Sequence, residues 1–139
     1  PFVIEYNVRM GDPETQVVLP RIKNDFLELM VKTANGKLDS VKLDIEKMSY
    51  ANVVVASKGY PEQYEKGKTI TGLDAERDSI IFHAGTKKES ENIVTNGGRV
   101  FSVVSRAESF DSALKKSYQN IKSINFEGKH YRKDLGFDL

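Results

Sequence analysis

The sequence has no cysteine, so neither a disulfide framework nor thiolate chemistry is open to it. Histidine is scarce too: His83 and His130 stand alone and far apart, which excludes a zinc-type spacing. No apolar run reaches membrane-spanning length, no signal-peptide core occurs, and no Gly-rich phosphate loop is present. Nor is there an excess of one charge. The 21 Lys and Arg against 20 Asp and Glu are spread along the chain and give a net +1, without the footprint of a nucleic-acid or anionic-membrane binder. These absences point to a cytoplasmic protein with no nucleic-acid, membrane or obligate protein partner.

What is present is a chain of 139 residues, 39% of them apolar, enough for one ordinary core or two small ones. It opens on Pro1 and runs directly into a strand-like segment, which reads as part of a longer chain. In "VIEYNVRMGDPETQ" (residues 3–16), Phe2, Ile4, Tyr6, Val8 and Met10 alternate with Glu5, Asn7 and Arg9, the pattern of a half-buried strand. Alternate side chains stand about 6.5–7 Å apart along one face. From there the Glu5 carboxylate and the Asn7 amide oxygen can converge on a small hard cation, and Arg9 can hold an anion by its planar fork. A merely solvated polar face explains the same alternation.

Asp12-Pro13 reads as a helix start, with Asp12 as N-cap and Glu14 favoured by the helix dipole; Asp12 as a ligand is the other reading. Pro20 interrupts or kinks that helix. A second helix is expected from Asn24 or Asp25, with Phe26, Leu27, Met30, Val31 and Ala34 on one face, ending at Asn35-Gly36. The charged stretch 38–47 separates residues 1–46 from a β-rich part, 47–139. There "ANVVVAS" (51–57), "KTITGL" (68–73) and "SIIFHAG" (79–85) read as strands. "NIVTNGGRVFSVVSR" (92–106) reads as a tight hairpin turning at Asn96-Gly97-Gly98. Next comes a helix capped by Ser109, with Phe110, Ala113, Leu114, Tyr118 and Ile121 as its apolar stripe and Lys116 outward, then one more strand and a loop. The expected class is α+β: an α/β tail joined to a small, mainly antiparallel β domain with one packed helix.

"VIEYNVRMGDPETQ" resembles the last strand and turn of the ATP-grasp domain of the glycinamide ribonucleotide synthetases, the phosphoribosylamine–glycine ligases. "VVVASKGYPEQYEKGKTITGL", "FHAGTK", "IVTNGGRVFSVV" and "YRKDLG" are similar, in order, to that family's C-terminal domain. The resemblance implies that residues 1–46 are the C-terminal end of an ATP-grasp domain and 47–139 the C-terminal β-rich domain. It implies an ATP-dependent ligase of purine synthesis that joins glycine to 5-phosphoribosylamine through a glycyl phosphate, the present chain alone being inactive. Glu5 and Asn7 match the family's Mg²⁺ or Mn²⁺ ligands, ATP is the co-substrate, and Arg9 is a candidate catalytic residue facing the transferred phosphoryl group.

Further substrate contacts are candidates at Asp12, His83 and Arg99, against bland readings as a cap, a satisfied strand histidine and a turn neighbour. Lys129, Arg132 and Lys133 are a solvated basic cluster or a phosphate contact. Two rival readings remain. The small β domain is similar in shape to the barrel-sandwich hybrid of biotinyl and lipoyl carriers, but Lys47-Met48 is the only Lys-Met pair and lies outside the clearest hairpin. Another ATP-grasp ligase or carboxylase would also place Glu and Asn on a strand, yet lacks the reason for "GYP" and "TNGGRV".

Overall fold

A computed structural model describes residues 2–4, 6, 8–75 and 77–137. The chain divides into two compact units, Pro1–Met48 and Ser49–Leu139. The protein is α+β, with antiparallel sheets and few helices.

In the first unit the expected opening strand does not form among the described residues. Phe2, Ile4, Tyr6 and Val8 are almost wholly exposed, and the segment joins no ladder. Period-2 patterning makes a strand only beside a partner that takes its backbone hydrogen bonds, and the described part of this unit holds one isolated bridge, Ile22 to Ile45. Glu5 and Asn7 lie outside the described residues. Asp12 does not cap a helix: its carboxylate accepts from the Gln16 amide at 2.9 Å, and α1 (Thr15–Val18) begins after Glu14, with Thr15 N donating to Gly11 O. A 3-10 turn, Leu19–Arg21, continues the chain through Pro20.

The next helix, α2 (Phe26–Ala34), has the expected ends. Asp25 Oδ1 accepts from Glu28 N at 2.9 Å, and Gly36 takes a φ of +63° beyond the C-cap Asn35. Its expected face is not the one buried. Leu29 is covered, while Phe26, Leu27, Met30 and Val31 remain exposed. Leu29 is the unit's one buried hydrophobic side chain among the described residues.

The second unit is built on β1 (Ser49–Ser57), β2 (Thr69–Ile70), β3 (Ile80–His83), β4 (Thr86–Glu89), β5 (Asn92–Thr95), β6 (Arg99–Ala107), α3 (Phe110–Lys122) and β7 (Lys129–His130). One sheet has the order β3-β6-β1-β7 and another β2-β5-β4, with antiparallel pairing throughout. β1 and β6 are the long central strands. Val53 pairs with Val103 and Val55 with Phe101; the register then skips Val100, and Ala56 pairs with Arg99. Val53, Val55, Val100, Phe101 and Val103, with Ile70, Ile121, Ile124 and Phe126, form the core.

The Asn96-Gly97-Gly98 run is not a hairpin. β5 and β6 belong to different sheets, and the run carries the chain from one to the other. The tight hairpin is β4 to β5, closed at Ser90-Glu91 with Ser90 at φ +52°. Turn residues report where a chain reverses; whether the flanking strands pair depends on partners distant in sequence.

Helix α3 starts as expected, with Ser109 Oγ accepting from Ser112 N at 3.2 Å. It docks through buried hydroxyls as well as apolar contacts. Ser117 Oγ lies 2.9 Å from Ser105 Oγ and 3.1 Å from Ala51 O, and Ser105 meets Ser79, which also accepts from the Asn120 amide. Lys116 is not a free outward residue, since its ammonium pairs with Asp78.

This architecture has two measurable consequences. Ser117→Ala removes one buried partner from the Ala51 carbonyl and one from Ser105, which keeps Ser79, and is expected to destabilise the unit by about 1–3 kcal/mol in urea unfolding, with an unchanged m-value. In hydrogen exchange, the Pro1–Met48 unit, with one buried hydrophobic side chain among its described residues, is expected to lose protection well before β1 and β6; equal protection would contradict this.

Candidate functional site

Three of the segments singled out in the sequence, those around Gly59, Gly85 and Gly97, meet at one end of the second unit. β1 ends at Ser57, whose N–H donates to Gly98 O at 2.8 Å and whose hydroxyl donates to Gly97 O at 3.1 Å. The next residue, Lys58, donates its N–H to Gly128 O at 2.7 Å. Gly67 N donates to Thr95 O, Thr95 N to Lys68 O, and Asn96 N to Gly85 O. The "KGYP", "GK", "HAG", "NGGR" and "EGK" stretches are thereby tied together through their main chains.

Glycine is required here for two distinct reasons. Gly59 has a φ of +96°, and a Cβ there would run into the Gln63 carbonyl. Gly85 and Gly97 press backbone on backbone: a Cβ on Gly85 would stand 2.6 Å from Gly97 Cα, and one on Gly97 2.9 Å from Gly85 Cα. Gly98 in turn lies against the Tyr60 ring. The glycines that looked like hairpin chemistry thus serve close packing of two loops.

A groove of about 580 Å³ opens beside this knot, lined by Ser57, Lys58, Tyr64, Glu65, Lys68 and Glu127 among others. Lys68 Nζ sits 2.6 Å from Glu65 and 3.0 Å from Glu127. Its hydrogen bonds to those two carboxylates raise its pKa above the usual lysine value, and the same lysine holds Glu65 below the usual carboxylate range. The ammonium is therefore already matched by two carboxylates, and the groove suits a polar or cationic group better than a second anion.

His83 and Arg99 come to the same end. His83 closes β3, with Nδ1 3.0 Å from Thr86 Oγ1, and Arg99 opens β6, its carbonyl accepting from Gly85 N at 2.8 Å. Arg9 and Asp12 belong to the other unit; Arg9 is exposed, its Nη1 donating to Met10 O at 2.9 Å. The terminal basic cluster is largely committed elsewhere. Lys129 Nζ donates to Ile121 O, Ile124 O and Asn125 Oδ1 at the end of α3, where partial burial lowers its pKa, and Arg132 forks onto Asp134. Among the described residues no group of three or more His, Asp or Glu side chains is placed to hold a metal. Sequence reasoning missed Tyr60, Glu65, Lys68 and Glu127; the spacing of Glu65 and Lys68 was readable as a local ion pair, but Glu127 reaches them only through the fold.

The pair gives a pH signature. Glu65, lowered by Lys68, supports the loop above the usual value of 4.5 and loses this as pH falls through its depressed pKa; Lys68, raised, supports it below 10.5 and loses this as pH climbs through its elevated pKa. Carbon-detected NMR titration is expected to place Glu65 below 4.5 in the native protein and to return it toward 4.5 in Lys68→Ala.

Residues 50–138 match the model of the family described as phosphoribosylglycinamide synthetase, C domain. The chain is 47% identical to the phosphoribosylamine–glycine ligase of Caldanaerobacter subterraneus subsp. tengcongensis, with 97% of this chain and 32% of that protein aligned. It is 49% identical to the bifunctional purine biosynthetic protein purD of Dictyostelium discoideum, over 96% of this chain and 17% of the relative. The crystal structure of phosphoribosylamine–glycine ligase from Thermotoga maritima superposes with a TM-score of 0.75 at 36% identity, covering 96% of this chain and 33% of that one. The chain thus spans about a third of the length of the single-function ligases it matches. The loops knotted at the end of β1 and β6 fall inside the matched residues, and the chain belongs to the phosphoribosylglycinamide synthetase family, whose C domain it carries.

Proposed function

We propose that this chain is the C-terminal part of an ATP-dependent ligase that joins glycine to 5-phosphoribosylamine in purine biosynthesis, in the cytoplasm. The observation that carries the reading is the meeting of three family-like segments, those around Gly59, Gly85 and Gly97, at one end of the second unit, together with relatives named phosphoribosylamine–glycine ligase. Among the described residues no helix is long and apolar enough to cross a membrane. On this reading residues 1–46 close an ATP-grasp domain and 47–139 form the C-terminal domain.

In the proposed reaction the γ-phosphoryl group of ATP passes to the glycine carboxylate, and the amine of phosphoribosylamine displaces phosphate from the acyl phosphate. Catalysis of this kind is mostly positioning and charge stabilisation. Arg9, exposed at the surface of its unit, presents a guanidinium suited to a phosphoryl or carboxylate group. The knot of glycine loops offers main-chain groups at close approach, with His83 and Arg99 beside it and Asp12 a further candidate contact. Glu5 and Asn7 supply a carboxylate and an amide oxygen, the donor chemistry that Mg²⁺ or Mn²⁺ takes, and a cation held there would offset phosphate charge.

The test belongs in the full-length protein. Glu5→Gln keeps the side chain's shape and removes its charge; turnover is expected to fall on the order of 10²-fold, with a higher Mg²⁺ requirement and a glycine KM changed much less. Near-normal turnover with the same Mg²⁺ dependence, in a folded variant, would leave Glu5 without a role in holding the cation.

A further inference from the structure

The turn that carries Glu127 to the groove is built on Lys129. Lys129 N donates to Phe126 O at 3.2 Å and closes a four-residue turn, with Glu127 second and Gly128 third at a φ of +78°. Gly128 O accepts from Lys58 N at 2.7 Å, so the turn abuts the loop that leaves β1. Both Glu127 and Gly128 line the groove of about 580 Å³.

The Lys129 side chain acts on the other side of this turn. Nζ donates to Ile121 O at 3.1 Å, Ile124 O at 2.6 Å and Asn125 Oδ1 at 2.9 Å, which engages all three ammonium donors. The two carbonyls lie in the last turn of α3 and just beyond it, where orphaned oxygens and the helix dipole favour a cation. All three partners are uncharged oxygens, and the Tyr131 ring stands 6.0 Å from Nζ. Asn125 is itself fixed, its N–H donating to Thr71 O at 3.0 Å and its carbonyl accepting from Thr71 N at 2.8 Å. Lys129 also pairs with Ser57 at the end of β1. It thus joins three fixed points: the end of α3, the Thr71 bridge just beyond β2, and β1.

Glu127 projects from the turn held between them. Its carboxylate lies 3.0 Å from Lys68 Nζ, whose other partner, Glu65 at 2.6 Å, is only three residues away in sequence. One arm of the Lys68 site is therefore local, and the other exists only where the turn is placed correctly. We propose that Lys129 is a positioning residue of the groove: by clasping the end of α3 it holds the Glu127 carboxylate against Lys68 and thereby sets the charge the groove presents. With both carboxylates in place the Lys68 ammonium is matched; with Glu127 displaced it is matched on one side only. The inference concerns the second unit alone and does not depend on the ligase reading.

The test is an NMR titration of Lys68 Nζ in the 139-residue protein, where it is expected above 10.5. Glu127→Gln should bring it part of the way back toward 10.5, because Glu65 remains. Lys129→Met, of comparable length but without donors, should do the same while Glu65 stays below 4.5. In the Glu127→Gln background Lys129→Met should add nothing, as required of a residue that acts through Glu127. Ser117→Ala, which removes buried hydrogen bonds of α3, is the control for general destabilisation and should leave the Lys68 titration unchanged. Should Lys129→Met fail to fold, Asn125→Ala removes one of the three acceptors and is read in the same way, with a smaller shift expected. A folded variant with Lys68 as high as in the native protein, an equal further shift in the Glu127→Gln background, or the same shift from Ser117→Ala would each overturn the proposal.

Discussion

The antiparallel ladder between Ser49–Ser57 and Arg99–Ala107 joins two nine-residue segments far apart in sequence, so its loop-closure cost must be offset by what it buries. It buries a great deal. Val53, Val55, Phe101 and Val103 are wholly inaccessible, and Ile121 and Ile124 complete the cluster. β3 and β7 extend the same ladder outward, and α3 lies along it. The loops of the candidate site depart from the ends of these two strands, Ser57 into the Gly59-Tyr60-Pro61 turn and Arg99 out of the Asn-Gly-Gly run. The skipped residue, Val100, falls beside that exit, where a bulge re-aims a strand.

Polar groups inside this unit set alignment as much as energy. The chain of hydrogen bonds from Ala51 O through Ser117, Ser105 and Ser79 to Asn120 ties α3 to the sheet at one register, and sliding the helix would break the buried bonds of Ser117. Apolar packing alone would tolerate more than one placement. At the site end the same role passes to glycine, where Gly85 and Gly97 let two main chains touch.

The Pro1–Met48 unit is organised by local chemistry instead. α2 is bounded by the Asp25 cap and Gly36, while Asn24 bridges to Lys42 O and Asp44 N through its side-chain amide. Apolar side chains stay exposed along the opening segment and on α2.

What the sequence determined by itself was the local: the caps at Asp25 and Ser109, the stop at Asn35-Gly36, the strand nature of residues 51–57 and 80–83, the α3 stripe, and the α+β class. Each rests on side-chain chemistry within a few residues, where pattern and backbone geometry agree. Only the tertiary structure decided which strands pair, and so turned an expected hairpin at Asn96–Gly98 into a crossing between sheets. It also decided that Lys68 has two carboxylates rather than one, that Lys129 is spent on the end of α3, and that Arg77 keeps a buried donor unmatched among the described residues. These depend on which distant groups share a space, and the sequence of a loop carries no record of its neighbours across the fold. The opening segment shows the same limit from the other side: its alternation is plain, but a strand is a property of at least two segments, and the described residues show no partner for it.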